Sequence, residues 1–185
     1  MDIPLLELPE PFNELTDKYR DCFGEIRQLK HFKELTIATS LSEKKSIAYL
    51  NSGIFQHVNQ SNMNRFLSSK INTDLMFKHN IDIINSIEDD GILAIDDTIL
   101  GKTGKKIEAA QWIYDHSKGK NVYGIQLATC ALSGKYGIYP VEFNIYERKG
   151  KTTERKYISK IDLQIDTIKK CIDYQLNFNT VTGDS

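Results

Sequence analysis

The chain's 185 residues, 40% of them hydrophobic, can bury the core of one substantial domain, and a net charge of −1 excludes a uniformly basic or acidic protein. Its three cysteines, Cys22, Cys130 and Cys171, are odd in number and far apart, which excludes a disulfide framework and shows no zinc-ligand spacing. The N-terminus carries acids where a signal peptide needs positive charge, and no apolar run approaches the roughly 18 residues of a membrane span. A reducing cytoplasm is the expected compartment, with no membrane partner.

Prolines 4, 9 and 11 predict an extended lead-in. Phe12, Leu15, Tyr19, Cys22, Phe23 and Ile26 then recur every three or four residues and predict one amphipathic helix. A second periodic run covers residues 31–40, and Ser42 reads as the cap of a further helix continued by Ile47, Leu50 and Ile54. In residues 57–70, Met63, Phe66 and Leu67 keep helical spacing among Asn, Gln, Ser and Arg side chains able to reach base edges and phosphates. That pattern fits either the second helix of a helix-turn-helix or a capped amphipathic helix with a hydrated polar face. Residues 1–88 are therefore expected to form an all-helical N-terminal region with a possible DNA-binding role.

From Gly91 the pattern changes to strands, and residues 89–185 read as a second domain. Gly91-Ile-Leu-Ala-Ile-Asp-Asp-Thr predicts a strand covered on both faces that delivers Asp96 and Asp97 to its carboxyl end, where ligands collect in α/β sheets. Lys102-Thr-Gly-Lys-Lys and His116-Ser-Lys-Gly-Lys-Asn read as basic connectors around a short apolar piece at 109–114, with Trp112 and Tyr114 anchoring the loop to the core. Residues 122–132 and 136–146 predict two strands joined by a hairpin at Ser133-Gly134-Lys135. Thr152 or Thr153, with Glu154 in the first turn, predicts the start of a helix whose stripe of Ile158, Ile161, Ile165, Ile168 and Ile172 covers the sheet. A fourth strand, from Phe178, ends on Asp184.

Charge is uneven along this chain. Residues 1–90 carry 10 basic and 14 acidic side chains, and residues 91–185 carry 14 and 11. Within 101–160, 12 basic residues stand against 5 acidic, a candidate polyanion footprint that includes Lys102, Lys105, Lys106, Lys118 and Lys120; a solvated lysine-rich face is the commoner explanation of such an excess.

Three strands, a helix and a fourth strand, with an acid after the first and after the fourth, is the order of the ribonuclease H-like fold, an α/β (α+β) architecture in which those two strands lie side by side and parallel. Ile95-Asp-Asp-Thr, Lys102-Thr-Gly-Lys and His116-Ser-Lys-Gly-Lys-Asn-Val-Tyr-Gly-Ile-Gln together resemble the start of the catalytic domain of DDE transposases of the IS4 and IS701 insertion-sequence type. The resemblance covers about residues 90–185 and implies DNA transposition, that is, metal-dependent DNA strand cleavage and transfer at element ends. It implies Asp96 and Asp184 as catalytic and metal-ligating residues for Mg²⁺ or Mn²⁺, with Asp97 the alternative to Asp96. It also implies transposon-end DNA as partner and a homo-oligomer in the full-length protein. The family's third acid, a glutamate on a later helix, has no counterpart: Glu142 and Glu147 come too early in the topology. The expectation is therefore an incomplete ribonuclease H-like core, the N-terminal part of a transposase and inactive by itself. Two other functions stand beside it: a non-catalytic DNA-binding or dimerising fragment, and a cellular ribonuclease H-like nuclease.

Overall fold

The computed structural model describes residues 7–53, 59–104, 107–147 and 158–183. They fall into two compact units, residues 1–79 and residues 80–185.

The first unit is helical. Helix α1 (Glu10–Asp17) starts behind Pro9, and Pro11 sits in its first turn, where the missing N–H costs nothing. The single helix expected through residue 26 is broken: α1 is followed by a 3₁₀ turn at Arg20–Cys22, then Phe23 is extended and α2 (Ile26–Leu41) begins. Glu25 and Gln28 exchange hydrogen bonds in a capping box, which starts the new helix after the 3₁₀ turn. Tyr19, Cys22 and Phe23 are buried nonetheless, and Phe23 packs against Phe32 and Phe66 with ring centroids 5.2 and 6.2 Å apart. Ser42 does not cap a following helix; it closes α2, and its hydroxyl donates to the Lys44 carbonyl. Helix α3 (Ile47–Gly53) starts later, with the Ser46 hydroxyl accepting from the Tyr49 N–H. Helix α4 (Gln60–Leu67) is capped by Asn59, buries Met63 and Phe66, and exposes Gln60, Ser61, Asn62, Asn64 and Arg65. Helix α5 (Thr73–Asn85) follows.

The second unit is a five-stranded mixed sheet with one helix on it. Strand β1 (Ile92–Gly101) pairs antiparallel with β3 (Lys120–Ser133) on one edge and parallel with β5 (Thr180–Gly183) on the other. The far edge of β3 carries β2 (Gln111–Asp115) along residues 120–124 and β4 (Ile138–Tyr146) along residues 126–133. The expected parallel neighbours, first and last strand, are thus present. The piece at 109–114, expected to be a connector, contributes β2 instead, and its aromatic residues are not core anchors: Trp112 is 65% exposed while Gln111, Ile113 and Asp115 point inward.

Helix α6 (Lys160–Asp173) is capped by Ser159, whose hydroxyl accepts from the Asp162 N–H; Thr152, Thr153 and Glu154 lie outside the described residues. It packs on β3 and β4, but most of the isoleucine stripe faces away from the sheet, Ile168 alone of the five being half-buried. Ile161 is 68% exposed, and Ile158, Ile165 and Ile172 are also exposed. Thr167 and Cys171 face the sheet instead, with Asn144 donating to the Thr167 hydroxyl at 2.9 Å and Lys170 paired with Glu142 at 2.9 Å. A helix finds its inward face by what the sheet offers, and Asn144 and Glu142 on β4 offer hydrogen bonds.

Two clamps hold this unit's strands in register. Asn85, at the end of α5, accepts from the Asn177 N–H and donates to the Gln175 carbonyl, and the Asn179 N–H donates to the Gly91 carbonyl, which feeds β5 in beside β1. Glu88 is 1% exposed, and its carboxylate accepts from the backbone N–H groups of Lys135 and Tyr136 and from the Tyr139 hydroxyl at 2.7 to 3.0 Å. Burial opposes its charge, but these donors outweigh burial and hold the carboxyl below its usual range. Gly134 lies against the Glu88 side chain, so a β-carbon at 134 would collide with it. Replacing Glu88 with Gln would point an amide N–H₂ at groups that are themselves donors. Glu88→Gln is expected to speed hydrogen exchange at the Lys135 and Tyr136 amides and to lower the thermal midpoint. Unchanged exchange at both amides would mean the turn is held by other contacts.

Candidate active site

Two adjacent acids in a strand must point to opposite faces of the sheet. Strand β1 does not end at Asp96 and Asp97 as expected but runs four residues further, pairing through to Gly101 with Gly124 of β3, so both acids stand mid-strand. Nor is the strand covered on both sides: Leu93 is buried while Ile92 is 44% exposed.

Asp97 shares a face with Leu93, Ala128, Cys130 and Leu132, the face under α6. Lys160, in the first turn of α6, binds its carboxylate at 2.8 Å, and the Gln126 amide donates to the same oxygen. Burial works against the charged form, and Lys160 and Gln126 outweigh it, with His116 adding to them, so the carboxyl is held below its ordinary range. A cavity of about 640 Å³ opens here, lined among others by Asp97, Asp115, Lys118, Gln126, Tyr146 and Lys160. Asp115 organises the turn from β2 to β3: it accepts from the Ser117 hydroxyl and N–H and the Lys118 N–H, and pairs with the Lys118 ammonium at 2.8 Å. Gly119 takes φ +61 in that turn, a conformation that glycine adopts without strain. Lys118 and Ser117 bring the Asp115 carboxyl down to about 2.

Asp96 stands on the other face with Ala94 and Thr98, opposite Thr129 of β3, and Thr182 of β5 pairs with Ala94 on that face. That face is open and apolar, with Ile138 74% and Phe143 61% exposed, and Trp112 packed edge-on to Tyr123 at 5.6 Å. One Asp96 oxygen accepts from the Asp97 N–H, and among the described residues Asp96 makes no ion pair. The last described pair between the parallel strands is Ile95 with Gly183. The next residue on β1 is Asp96, and the next after Gly183 is Asp184, which lies outside the described residues.

Of the lysines expected to track DNA, Lys120 is exposed, Lys102 is half-buried with its N–H bonded to the Tyr123 carbonyl, and Lys118 is paired with Asp115. Lys105 and Lys106 lie outside the described residues. Sequence reasoning missed Lys160 and Gln126 as the partners of Asp97, although strand alternation already required one of the two adjacent acids to face α6. Glu142 is paired with Lys170 beneath α6. The described residues contain one cluster of three potential metal donors, Asp21, Cys22 and His79, in the helical unit; a mixed oxygen, sulfur and nitrogen set is not one that selects Mg²⁺. Among the described residues no helix is long and apolar enough to cross a membrane. No protein-family model matches the chain, and no curated protein matches it at a significant level.

A carboxylate whose charged form is favoured only in the fold contributes stability above its ordinary titration range and loses it as pH falls toward its folded value. For Asp115 the window runs from about 3.8 down to about 2. NMR titration of the Asp115 carboxyl is expected to give a midpoint near 2, moving up toward 3.8 in Lys118→Ala. An ordinary midpoint in the unaltered chain would contradict the turn geometry.

Proposed function

We propose that residues 89–185 form part of the catalytic core of a DDE transposase with ribonuclease H-like strand order, in which Asp96 and Asp184 bind Mg²⁺ or Mn²⁺. The observation that carries this reading is the register of the parallel strands: Ile95 pairs with Gly183, and each is followed in the chain by one of the two acids. Asp96 is a better ligand than Asp97, because Asp97 already has a lysine countercharge and an amide donor. A carboxylate with no ion pair among the described residues, on an open face, offers the hard oxygen donors that these cations take. Such an ion, when bound, activates a water or hydroxyl and stabilises the leaving oxygen of an in-line displacement at phosphorus. Asp96 would supply one oxygen ligand, Thr98 lies on the same face, the Thr129 hydroxyl donates to the Asp96 carbonyl at 3.1 Å and so fixes the backbone there, and β3 and β5 on either side keep β1 from rotating. Glu142 does not supply the family's third carboxylate, being paired with Lys170. Lys120 and Lys102 belong to the surface that would meet the DNA backbone, and binding there falls steeply with salt.

A titration of the chain with Mn²⁺ followed by electron paramagnetic resonance tests the ligand assignment. Asp96→Asn and Asp184→Asn are each expected to weaken binding on the order of tenfold or more, as loss of a metal-site group does. Asp97→Asn is expected to leave it nearly unchanged. Full affinity in Asp96→Asn, or loss confined to Asp97→Asn, would overturn the assignment.

A further inference from the structure

The helical unit brings together three side chains that the transposase reading does not use. The 3₁₀ turn presents Asp21 and Cys22 on consecutive residues, and His79 reaches them from α5. His79 Nε2 lies 2.6 Å from Asp21 Oδ1, Cys22 Sγ lies 3.9 Å from the same oxygen, and the three donor atoms all fall within 4.8 Å of one another. A tetrahedral zinc ion, with bonds of about 2.0 Å to nitrogen and oxygen and about 2.3 Å to sulfur, needs donors roughly 3.3 to 3.6 Å apart. The observed separations bracket that range, so a small rotation of Asp21, whose side chain is 58% exposed, is enough to admit the ion.

We infer that Asp21, Cys22 and His79 form a binding site for a zinc-class transition-metal ion, with a fourth position open to solvent beside Asp21. The donor set selects the metal: thiolate and imidazole with one carboxylate suit zinc or cobalt and disfavour magnesium and calcium, which take oxygen ligands. The site is also held in place before any ion arrives. Cys22 is buried, its carbonyl accepts from the Asn72 N–H at 3.0 Å, and the His79 ring packs edge-on to Tyr19 at 5.9 Å. The ion ties the 3₁₀ turn to α5 and stabilises the helical unit by mass action.

Cobalt(II) titration of the purified chain tests the inference, since a cobalt–thiolate bond has a charge-transfer absorption that oxygen and nitrogen ligands lack. One equivalent is expected to bind with that absorption and to be displaced by zinc. The absorption is expected to vanish in Cys22→Ser and to persist in Cys130→Ser and Cys171→Ser, while His79→Ala weakens binding at least tenfold. Asp21→Asn, a surface change that leaves the buried thiol and the ring packing in place, is expected to weaken binding with an unchanged circular dichroism spectrum. If the folded wild-type chain gives no thiolate band, or folded Cys22→Ser keeps it, the cluster is an Asp–His hydrogen bond beside an inert thiol and the inference is wrong.

Discussion

A strand hydrogen-bonded along both edges cannot slip by one residue without turning every side chain to the other face of the sheet. β1 is held this way, by ten pairs to β3 and four to β5, and the chemistry of the second unit depends on that constraint. It separates two adjacent, chemically identical residues into different jobs. Asp97 faces α6 and becomes half of an ion pair, while Asp96 faces the open side and keeps its carboxylate for something else.

The same division explains how α6 sits. Its sheet-facing side makes directed polar contacts, Lys160 to Asp97, Thr167 to Asn144 and Lys170 to Glu142, with Cys171 buried beside them. Exposed ion pairs contribute little, about 0 to 1 kcal/mol each, so direction rather than strength is what they supply. A helix docked by several directed contacts has one rotational setting. A helix docked by the isoleucine stripe would turn Lys160 away from Asp97.

Strands β1, β3 and β4, the helix after them and the final strand were legible in the sequence because alternation, the Ser133-Gly134 turn and the apolar run before Asp96 are local signals. So was the buried face of α4, through Met63 and Phe66. The break near Gly24 was not, because Tyr19, Cys22 and Phe23 stay buried through a 3₁₀ turn and an extended residue, and so imitate one helix. Strand β2 was missed because its pattern is inverted, with Gln111 and Asp115 inward and Trp112 and Tyr114 outward. The isoleucine stripe misled because Lys160, Thr167 and Lys170 meet Asp97, Asn144 and Glu142, and these directed contacts set the rotation of α6. The Asp21, Cys22 and His79 cluster escaped a search for ligand spacing because the third donor arrives on a different helix, 57 positions after Cys22.

The assignment of the open face of β1 as the reactive one can be tested directly by anomalous diffraction from crystals soaked in Mn²⁺. The expected result is a manganese peak within coordination distance of the Asp96 carboxylate, on the face that carries Thr98 and Thr129, with Asp97 still bound to Lys160. A peak on Asp97 in the cavity beneath α6, or no manganese at either acid while the helical cluster fills, would contradict it.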